Sequence, residues 1–476
     1  MLQVSSKVLA VDLDGTLLRS DMLFETFWNA CARDWRTPFK AIAALFKGKA
    51  NVKNVLAKIC EFDASILPYN DEVVAYVKSW RERGGRTALV TATSQDVAEQ
   101  IAEYLGIFDE VHGSTGNLNL KGSNKSAFLE SHYGEGMYAY VGDSPADLHV
   151  WAKASHIVAV SPSSRLGTRI ERLGRSHEMI TARASDWKVY IKQLRPHQWS
   201  KNLLIFVPML ATHSGDLATI TRTILAFFSF SLVASSVYVL NDLLDLAADR
   251  AHARKKRRPL ASGDLPIAHG TALFPLLLGT GVGLGALAGI HFLAALALYY
   301  TVTLAYSFYL KRKILIDICA LAGLYTLRII AGSAVTGIHL SVWLLAFSTF
   351  LFFSLAAVKR QSELNHHALS GHNALVGRGY RVQDLPIISQ MGIASGYIAV
   401  MVLALYIDAP TTAQLYSFPE ALWGICLVLL FWISRMVFIT NRGRMHDDPV
   451  FFALKDRVSR YCGIIMGLFA LASVSL

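Results

Sequence analysis

From about residue 202 to the end of the chain, apolar runs of close to 20 residues alternate with short charged loops. An α-helix needs a run of that length to cross the hydrocarbon of a bilayer, and a helix is one of few structures that satisfies its own peptide groups there. Nine spans fit: 202–213 extended at its borders, 221–240, 268–288, 290–310, 315–335, 341–358, 386–406, 420–438 and 460–476. Residues 1 to about 190 have ordinary soluble composition. The average over all 476 residues, 53% hydrophobic and 17% charged, hides this division. We therefore expect an α/β domain over 1–160, a Ser-, Arg- and Gly-rich linker over 161–192, and an all-α polytopic membrane domain of about nine helices over 193–476.

The net charge of +11 does not indicate nucleic acid, because the second half keeps its Lys and Arg between apolar runs. With the N-terminal domain cytoplasmic, loops 241–267, 311–314, 359–385 and 439–459 carry those charges and the opposite loops hold little beyond Arg222, as positive-inside topology requires. No apolar stretch precedes the first acidic cluster, so no signal peptide is expected. The cysteines at 31, 60, 319, 426 and 462 form no C-x-x-C pair, which suits a reducing compartment or a membrane interior. The expected location is a bacterial inner membrane.

In the first half, residues 7–17 read as a buried strand, Val8-Leu9-Ala10-Val11, running into the acidic turn Asp12-Leu13-Asp14-Gly15-Thr16. Further strands are predicted at Arg86–Val90 and Tyr138–Val141, with 22–82 mostly helical. Strands alternating with helices predict a parallel sheet, with acidic and hydroxyl residues at strand C-terminal ends, where such sheets bind ligands. Two carboxylates two residues apart can share a Mg²⁺ ion and a phosphoryl group: Asp12 attacks phosphorus and Asp14 protonates the leaving alcohol. Thr91 can donate to the phosphate, Lys125 or Lys121 can neutralise it, and Asp143, supported by Asp147, can complete the metal shell. In this order the elements resemble the four motifs of haloacid dehalogenase-like (HAD) phosphatases over residues 7–160. The resemblance implies a Rossmannoid fold, the Asp12 nucleophile, the Asp14 acid/base, metal ligation by Asp12, Asp14, Asp143 and Asp147, and a small helical cap over about 22–82.

In the second half, Asn241-Asp242-Leu243-Leu244-Asp245 continues to Asp249-Arg250. Spacings of three and four place Asp242, Asp245 and Asp249 on one helix face. Carboxylates at a membrane helix end call for a cation, and Mg²⁺ held there binds diphosphate oxygens. Arg250, Arg254, Lys255, Lys256, Arg257 and Arg258 follow, then Pro259 and Ala261-Ser262-Gly263. This loop resembles the first aspartate-rich motif of the UbiA superfamily of intramembrane prenyltransferases, which bind prenyl diphosphates through Mg²⁺. At the second site, Tyr306 and Lys311 lead to Asp317, but Leu321 stands where a partner aspartate is usual; Tyr325 and Arg328 follow on the same helical face. With Arg195 to Asn202, Lys359-Arg360 ahead of Glu363, and Asp448-Pro449-Val450, this pattern resembles the decaprenyl-phosphate phosphoribosyltransferase branch.

That resemblance implies transfer of 5-phosphoribose from phosphoribosyl diphosphate (PRPP) to a polyprenyl phosphate, with Mg²⁺ at both sites. Lys201, Asn241, Arg250, Arg254, Lys255, Arg258, Tyr306, Lys311, Asp317, Tyr325, Arg328, Lys359 and Arg360 are the candidate substrate-binding residues. The product keeps a phosphomonoester that the first domain could remove, giving polyprenyl-phosphoryl ribose for cell-envelope glycans. The expected partners are PRPP, the lipid phosphate, the membrane and further copies of the chain, with no nucleic acid. The competing expectations are an aromatic prenyltransferase of quinone biosynthesis fused to an unrelated phosphatase, and a HAD domain that only regulates.

Overall fold

The computed structural model describes residues 7–46, 55–56, 63–115, 119–181, 186–212, 215–369, 378–410, 412, 416–445 and 448–475. They divide into two compact units, one of residues 1–194 with 238–274, the other of 195–237 with 275–476. Cys60 lies outside the described residues; Cys31, Cys319, Cys426 and Cys462 are free thiols.

The first unit is built on a six-stranded sheet: β1 (Val8–Val11), β2 (Arg86–Ser94), β3 (Glu110–Ser114), β4 (Tyr138–Gly142), β5 (His156–Val160) and β6 (His177–Ile180), in the order β3-β2-β1-β4-β5-β6. All pairings are parallel, and β1 sits between β2 and β4, with Ala10 opposite Ala88 on one side and Tyr140 on the other. Every residue of β1, β4 and β5 is buried, as expected of a parallel strand covered by helices on both faces. Alternate side chains of β1 feed two separate layers. Leu9 and Val11 join Val73, Val77, Trp80 and Ile101 on one face; Val8 and Ala10 join Tyr138, Tyr140, Trp151 and Ile170 on the other. The chain order reverses across β1, so the ends of β1 and β4 open one crevice.

Two expected segments differ in extent. Among the described residues, the helical insertion after β1 includes α1 (Met22–Arg33), α2 (Thr37–Leu45) and a 3-10 turn at Ala64–Ile66. The next helix, α3 (Asp71–Glu82), puts Val73, Val77 and Trp80 into the sheet's own layer, so the cap stops short of it. The expected linker is partly folded. Ser163 caps a helix, Ser164–Glu171, whose Leu166 and Ile170 enter the second layer, and the chain then supplies β6.

Among the described residues, eight helices are long and apolar enough to cross a membrane: Leu217–Leu244, Ile267–Ala288, Ile290–Phe308, Ile316–Thr336, Val342–Leu369, Val382–Ile407, Pro419–Asn441 and Arg457–Val474. The first of the nine expected spans takes another form, a 3-10 stretch at Pro196–Phe206 followed by the short helix Val207–Ala211. Each element carries a proline in its first turn, which suits a helix start and not its interior. The segment packs on Ile316–Thr336 at Gly332, where any Cβ would strike the Ile205 carbonyl.

Candidate active sites

At the crevice of the first unit the acidic turn follows β1 directly. Lys125 reaches it from the helix Ser123–Tyr133. Its ammonium lies 2.7 Å from Asp12 Oδ1 and donates to the Tyr140 hydroxyl at 2.9 Å, almost fully buried. Lys121 is exposed, so the structure singles out Lys125. Tyr140 in turn donates to Asp147 Oδ1 at 3.0 Å, while Asp147 Oδ2 accepts from the Ser144 amide and hydroxyl at 3.0 and 2.9 Å. Asp143 accepts from Thr16 Oγ1 at 3.1 Å. Gly15, at φ +77°, must lack a side chain because a Cβ would collide with the Asp143 carboxylate.

Asp12, Asp143 and Asp147 each offer a carboxylate oxygen within 4.8 Å of the others. Burial raises the Asp12 carboxyl, opposed by Lys125 and reinforced by Asp147. Burial, then the charges of Asp12 and Asp147, push Asp143 up to about 7. Crowded, desolvated carboxylates of this kind call for a cation, and an all-oxygen donor set suits Mg²⁺. Asp14 stands apart from the three. Its carboxylate accepts from the Met22 amide at 2.7 Å and from Thr93 Oγ1 at 3.0 Å. Burial and the charge of Asp21 push it up to about 7, so it holds a proton near neutrality as a general acid must. Thr91 is fully buried at the end of the sheet pairing, its hydroxyl accepting from the Thr93 amide at 3.0 Å. Thr93, Thr16 and Tyr140 were not expected from sequence; hydroxyls this common carry no local signal. Among the described residues one other cluster has metal-ligand spacing, Glu110, His112 and His132 at the β3 edge.

The aspartate-rich loop belongs to the same compact unit. The helix Leu217–Leu244 ends one residue before Asp245, and a short helix, Leu246–Ala251, follows. Asp242 and Asp249 are nearly fully buried and converge on one nitrogen: Arg258 Nη1 lies 2.9 Å from Asp242 Oδ1 and 2.5 Å from Asp249 Oδ2. Lys255 lies 3.6 Å from the other Asp249 oxygen, and burial raises Asp249 against the pull of Arg258. Asp245 stands at the N-cap position of the short helix, its side chain making no capping hydrogen bond, and is only partly buried. The structure therefore brings two of the three aspartates together. Asn241 is half-buried beside them, and Arg254, Lys255, Lys256 and Arg257 line the exposed side.

Residues of the same compact unit, from Arg19 to Gln193, brace this loop. Gln193 donates to Asp242 Oδ2 at 2.9 Å. Arg250 makes a bidentate pair with Glu25 of α1, at 2.9 and 2.7 Å, and donates to the Ala261 carbonyl at 3.0 Å. Gly263, at φ +75°, lies so close to Arg19 that a Cβ would sit 2.7 Å from that side chain. Glu25 and Arg250 are 9% and 6% exposed. Glu25→Gln would leave Arg250 an unpaired buried charge and is expected to cost about 3 kcal/mol. Thermal unfolding in detergent reads this as a lower midpoint, and adding Arg250→Gln should recover most of the loss. No shift in the single variant would mean that the pair contributes nothing.

Among the described residues of the second unit, besides the Arg435–Asp456 pair, two larger ionic clusters form. Asp317 is fully buried and accepts from Tyr306 at 2.9 Å, Arg378 at 3.0 Å and Arg360, which also pairs with Glu363. Leu321, where a partner carboxylate was looked for, packs against the apolar cluster of Ile318, Ala357 and Leu364. In the other cluster Asp448 receives Lys201 at 2.9 Å and Lys359 at 3.0 Å, with the Tyr325 hydroxyl at 3.4 Å. Burial works against the Asp448 charge, but the two ammoniums outweigh it and hold the carboxyl well below its usual range. Arg328 donates to Asn202 at 2.9 Å and lies over the Tyr299 and Tyr325 rings. Lys311 lies in the turn Leu310–Arg312. Arg378, Glu363 and Asp448 were legible as charged loop or flanking residues but not as members of these clusters.

Residues 203–455 match the UbiA prenyltransferase family and residues 9–151 match haloacid dehalogenase-like hydrolases. The chain is 36% identical to protein y4nM of Sinorhizobium fredii over 471 residues, 98% of this chain and 90% of that one. It is 31% identical over 275 residues to a decaprenyl-phosphate phosphoribosyltransferase of Mycolicibacterium smegmatis, covering 56% of this chain and 86% of that one. Among solved structures, a UbiA homolog from Archaeoglobus fulgidus bound to DMAPP and Mg²⁺ aligns with 60% of this chain and 99% of that chain, at 17% identity and a TM-score of 0.46.

Proposed function

The chain belongs to the UbiA prenyltransferase family and carries a haloacid dehalogenase-like hydrolase domain ahead of it, and from that premise we propose a bifunctional membrane enzyme that makes polyprenyl-phosphoryl ribose. The membrane part transfers 5-phosphoribose from PRPP to a polyprenyl phosphate and releases diphosphate. The hydrolase then removes the 5-phosphate. The first domain extends past 160 to β6 at Ile180, the membrane part begins near 193, and the first domain faces the cytoplasm of a bacterial inner membrane.

One observation carries the choice of acceptor. Among the described residues, Lys201 and Lys359 both pair with Asp448 and the Arg328 guanidinium lies over the Tyr325 ring beside them, so three positive charges gather where one carboxylate is in direct ionic contact. A surplus of cations buried in a membrane bundle suits an anionic acceptor, here a lipid phosphate; a neutral aromatic acceptor has no use for it. Leu321 supports the same reading, since the pair of carboxylates that would hold a second metal is incomplete.

In the transfer, the C1–O bond to diphosphate breaks and an oxygen of the lipid phosphate bonds to C1. The acceptor is already an anion, so no base is required. Mg²⁺, when bound at Asp242 and Asp249, would neutralise the diphosphate. Arg258, Lys255 and Arg254 add fixed positive charge where negative charge develops. In the hydrolase, Asp12 attacks the 5-phosphate and Asp14 gives its proton to the departing ribose oxygen. Asp14 then takes a proton from the water that cleaves the aspartyl-phosphate. Lys125 holds Asp12 in place and opposes the rise that burial gives its carboxyl.

Purified protein in detergent with Mg²⁺ should release diphosphate from PRPP only when polyprenyl phosphate is added, and mass spectrometry should find the ribosylated lipid. Turnover of a prenyl diphosphate with an aromatic acceptor, and none with PRPP, would overturn the assignment.

A further inference from the structure

Helix α2 is built inside out. Thr37, Ala41 and Ala44 face the protein, at 0%, 9% and 4% exposure, while Trp35, Phe39, Ile42, Leu45 and Phe46 are 69%, 66%, 57%, 56% and 89% exposed. Positions 35, 39, 42 and 46 recur at helical spacing, so the large apolar side chains form one continuous stripe. Contiguous apolar surface of this kind marks a contact with a partner or a membrane.

Two further observations point to the membrane. Only Asp34, Trp35 and Arg36 separate α2 from α1, and α1 is fixed to the segment that enters the bilayer. Glu25 pairs with Arg250, and Trp28 Nε1 donates to Thr271 Oγ1 at 2.8 Å in the first turns of the span Ile267–Ala288. The charges flanking the stripe are mostly basic. Arg33, Arg36 and Lys40 stand against Asp34, which Lys40 pairs at 2.7 Å, and the Arg36 guanidinium lies 5.6 Å from the Trp35 ring centroid. An apolar stripe with tryptophan at its border and cations beside it is the make-up of a helix lying in the interfacial layer of anionic lipids.

We propose that α2 is an in-plane membrane anchor. Its stripe sinks into the surface of the bilayer that the same chain crosses, and it holds the hydrolase cap at the lipid headgroups. Resting on the function proposed above, this places the hydrolase where a lipid-borne phosphomonoester arrives by lateral diffusion.

The test uses the full chain in nanodiscs of phosphatidylglycerol and phosphatidylcholine, with the photoreactive residue benzoylphenylalanine placed in turn at 39, 42, 46 and, as a control, 40. Lipid adducts at 39, 42 and 46 and few at 40 are expected. Absence of lipid adducts at the three stripe positions, or cross-links between two copies of the chain in their place, would overturn the anchor. A Phe39→Ser/Ile42→Ser/Phe46→Ser variant should raise KM for a lipid-borne phosphomonoester by about tenfold and leave hydrolysis of p-nitrophenyl phosphate unchanged. Equal KM values for wild type and variant would also overturn it. A wild type that forms lipid adducts but hydrolyses no lipid substrate leaves the anchor standing and removes the proposed hydrolase substrate.

Discussion

An Asp12→Asn variant of the full chain, supplied with PRPP, a polyprenyl phosphate and Mg²⁺, is expected to release diphosphate at the wild-type rate but almost no inorganic phosphate. It should accumulate a ribosylated lipid that still carries the 5-phosphate. The amide occupies the space of the carboxylate but is no nucleophile, and it leaves Lys125, at 2.7 Å from Asp12, without its counter-charge. It also removes one of three carboxylates gathered within 4.8 Å. Loss of the attacking group should lower phosphomonoesterase turnover about a thousandfold or more. Joining hydrolase and transferase in one chain raises the local concentration of the intermediate, so wild type should show little of the phosphorylated lipid. Mass spectrometry of the lipid extract distinguishes the two products. If both proteins yield the same lipid, the hydrolase acts on some other substrate.

The central strands and the acidic turn were legible because parallel strands buried on both faces need unbroken apolar runs, and β1 and β4 consist of little else. The limits of the cap were less so, since α3 is as helical as α1 and only the packing of Val73, Val77 and Trp80 assigns it to the sheet. The segment read as a linker hid a helix because the inward-facing Leu166, Ile170 and Leu173 are scattered among Ser, Arg and Gly residues, and β6 is mostly exposed. Choosing Lys125 over Lys121 needed the third dimension: one ammonium meets Tyr140 and Asp12, the other points to solvent. The spacing of Asp242, Asp245 and Asp249 predicts one shared face, and the structure brings Asp242 and Asp249 together on Arg258. That Arg250 turns to Glu25, 225 residues earlier, lay beyond any local pattern. Contacts of that range depend on the fold, which spacing along the chain does not encode.

Asp242→Asn and Asp249→Asn should each lower diphosphate release by roughly 10²- to 10³-fold, with Asp245→Asn doing much less. The ranking follows from geometry. Asp242 and Asp249 both reach Arg258 Nη1, and both are nearly fully buried. Asp245 stands apart from Arg258 at the start of a short helix and is partly exposed. In the resting protein Arg258 balances the buried pair. Mg²⁺ at such a site is shared between one or two carboxylates and the diphosphate oxygens, and an amide at either position removes half of the protein's share. The same loss should appear without turnover. Mg²⁺ with PRPP at about 100 times its dissociation constant should stabilise the wild type by about 2.7 kcal/mol, and neither the Asp242 nor the Asp249 variant should gain that stabilisation. Hydrolysis of p-nitrophenyl phosphate, which depends on Asp12, Asp14 and Lys125, reports whether the first unit has kept its fold. An Asp242→Asn protein that releases diphosphate at the wild-type rate would move the donor site away from this loop, and one equally slowed by Asp245→Asn would mean that all three aspartates act together.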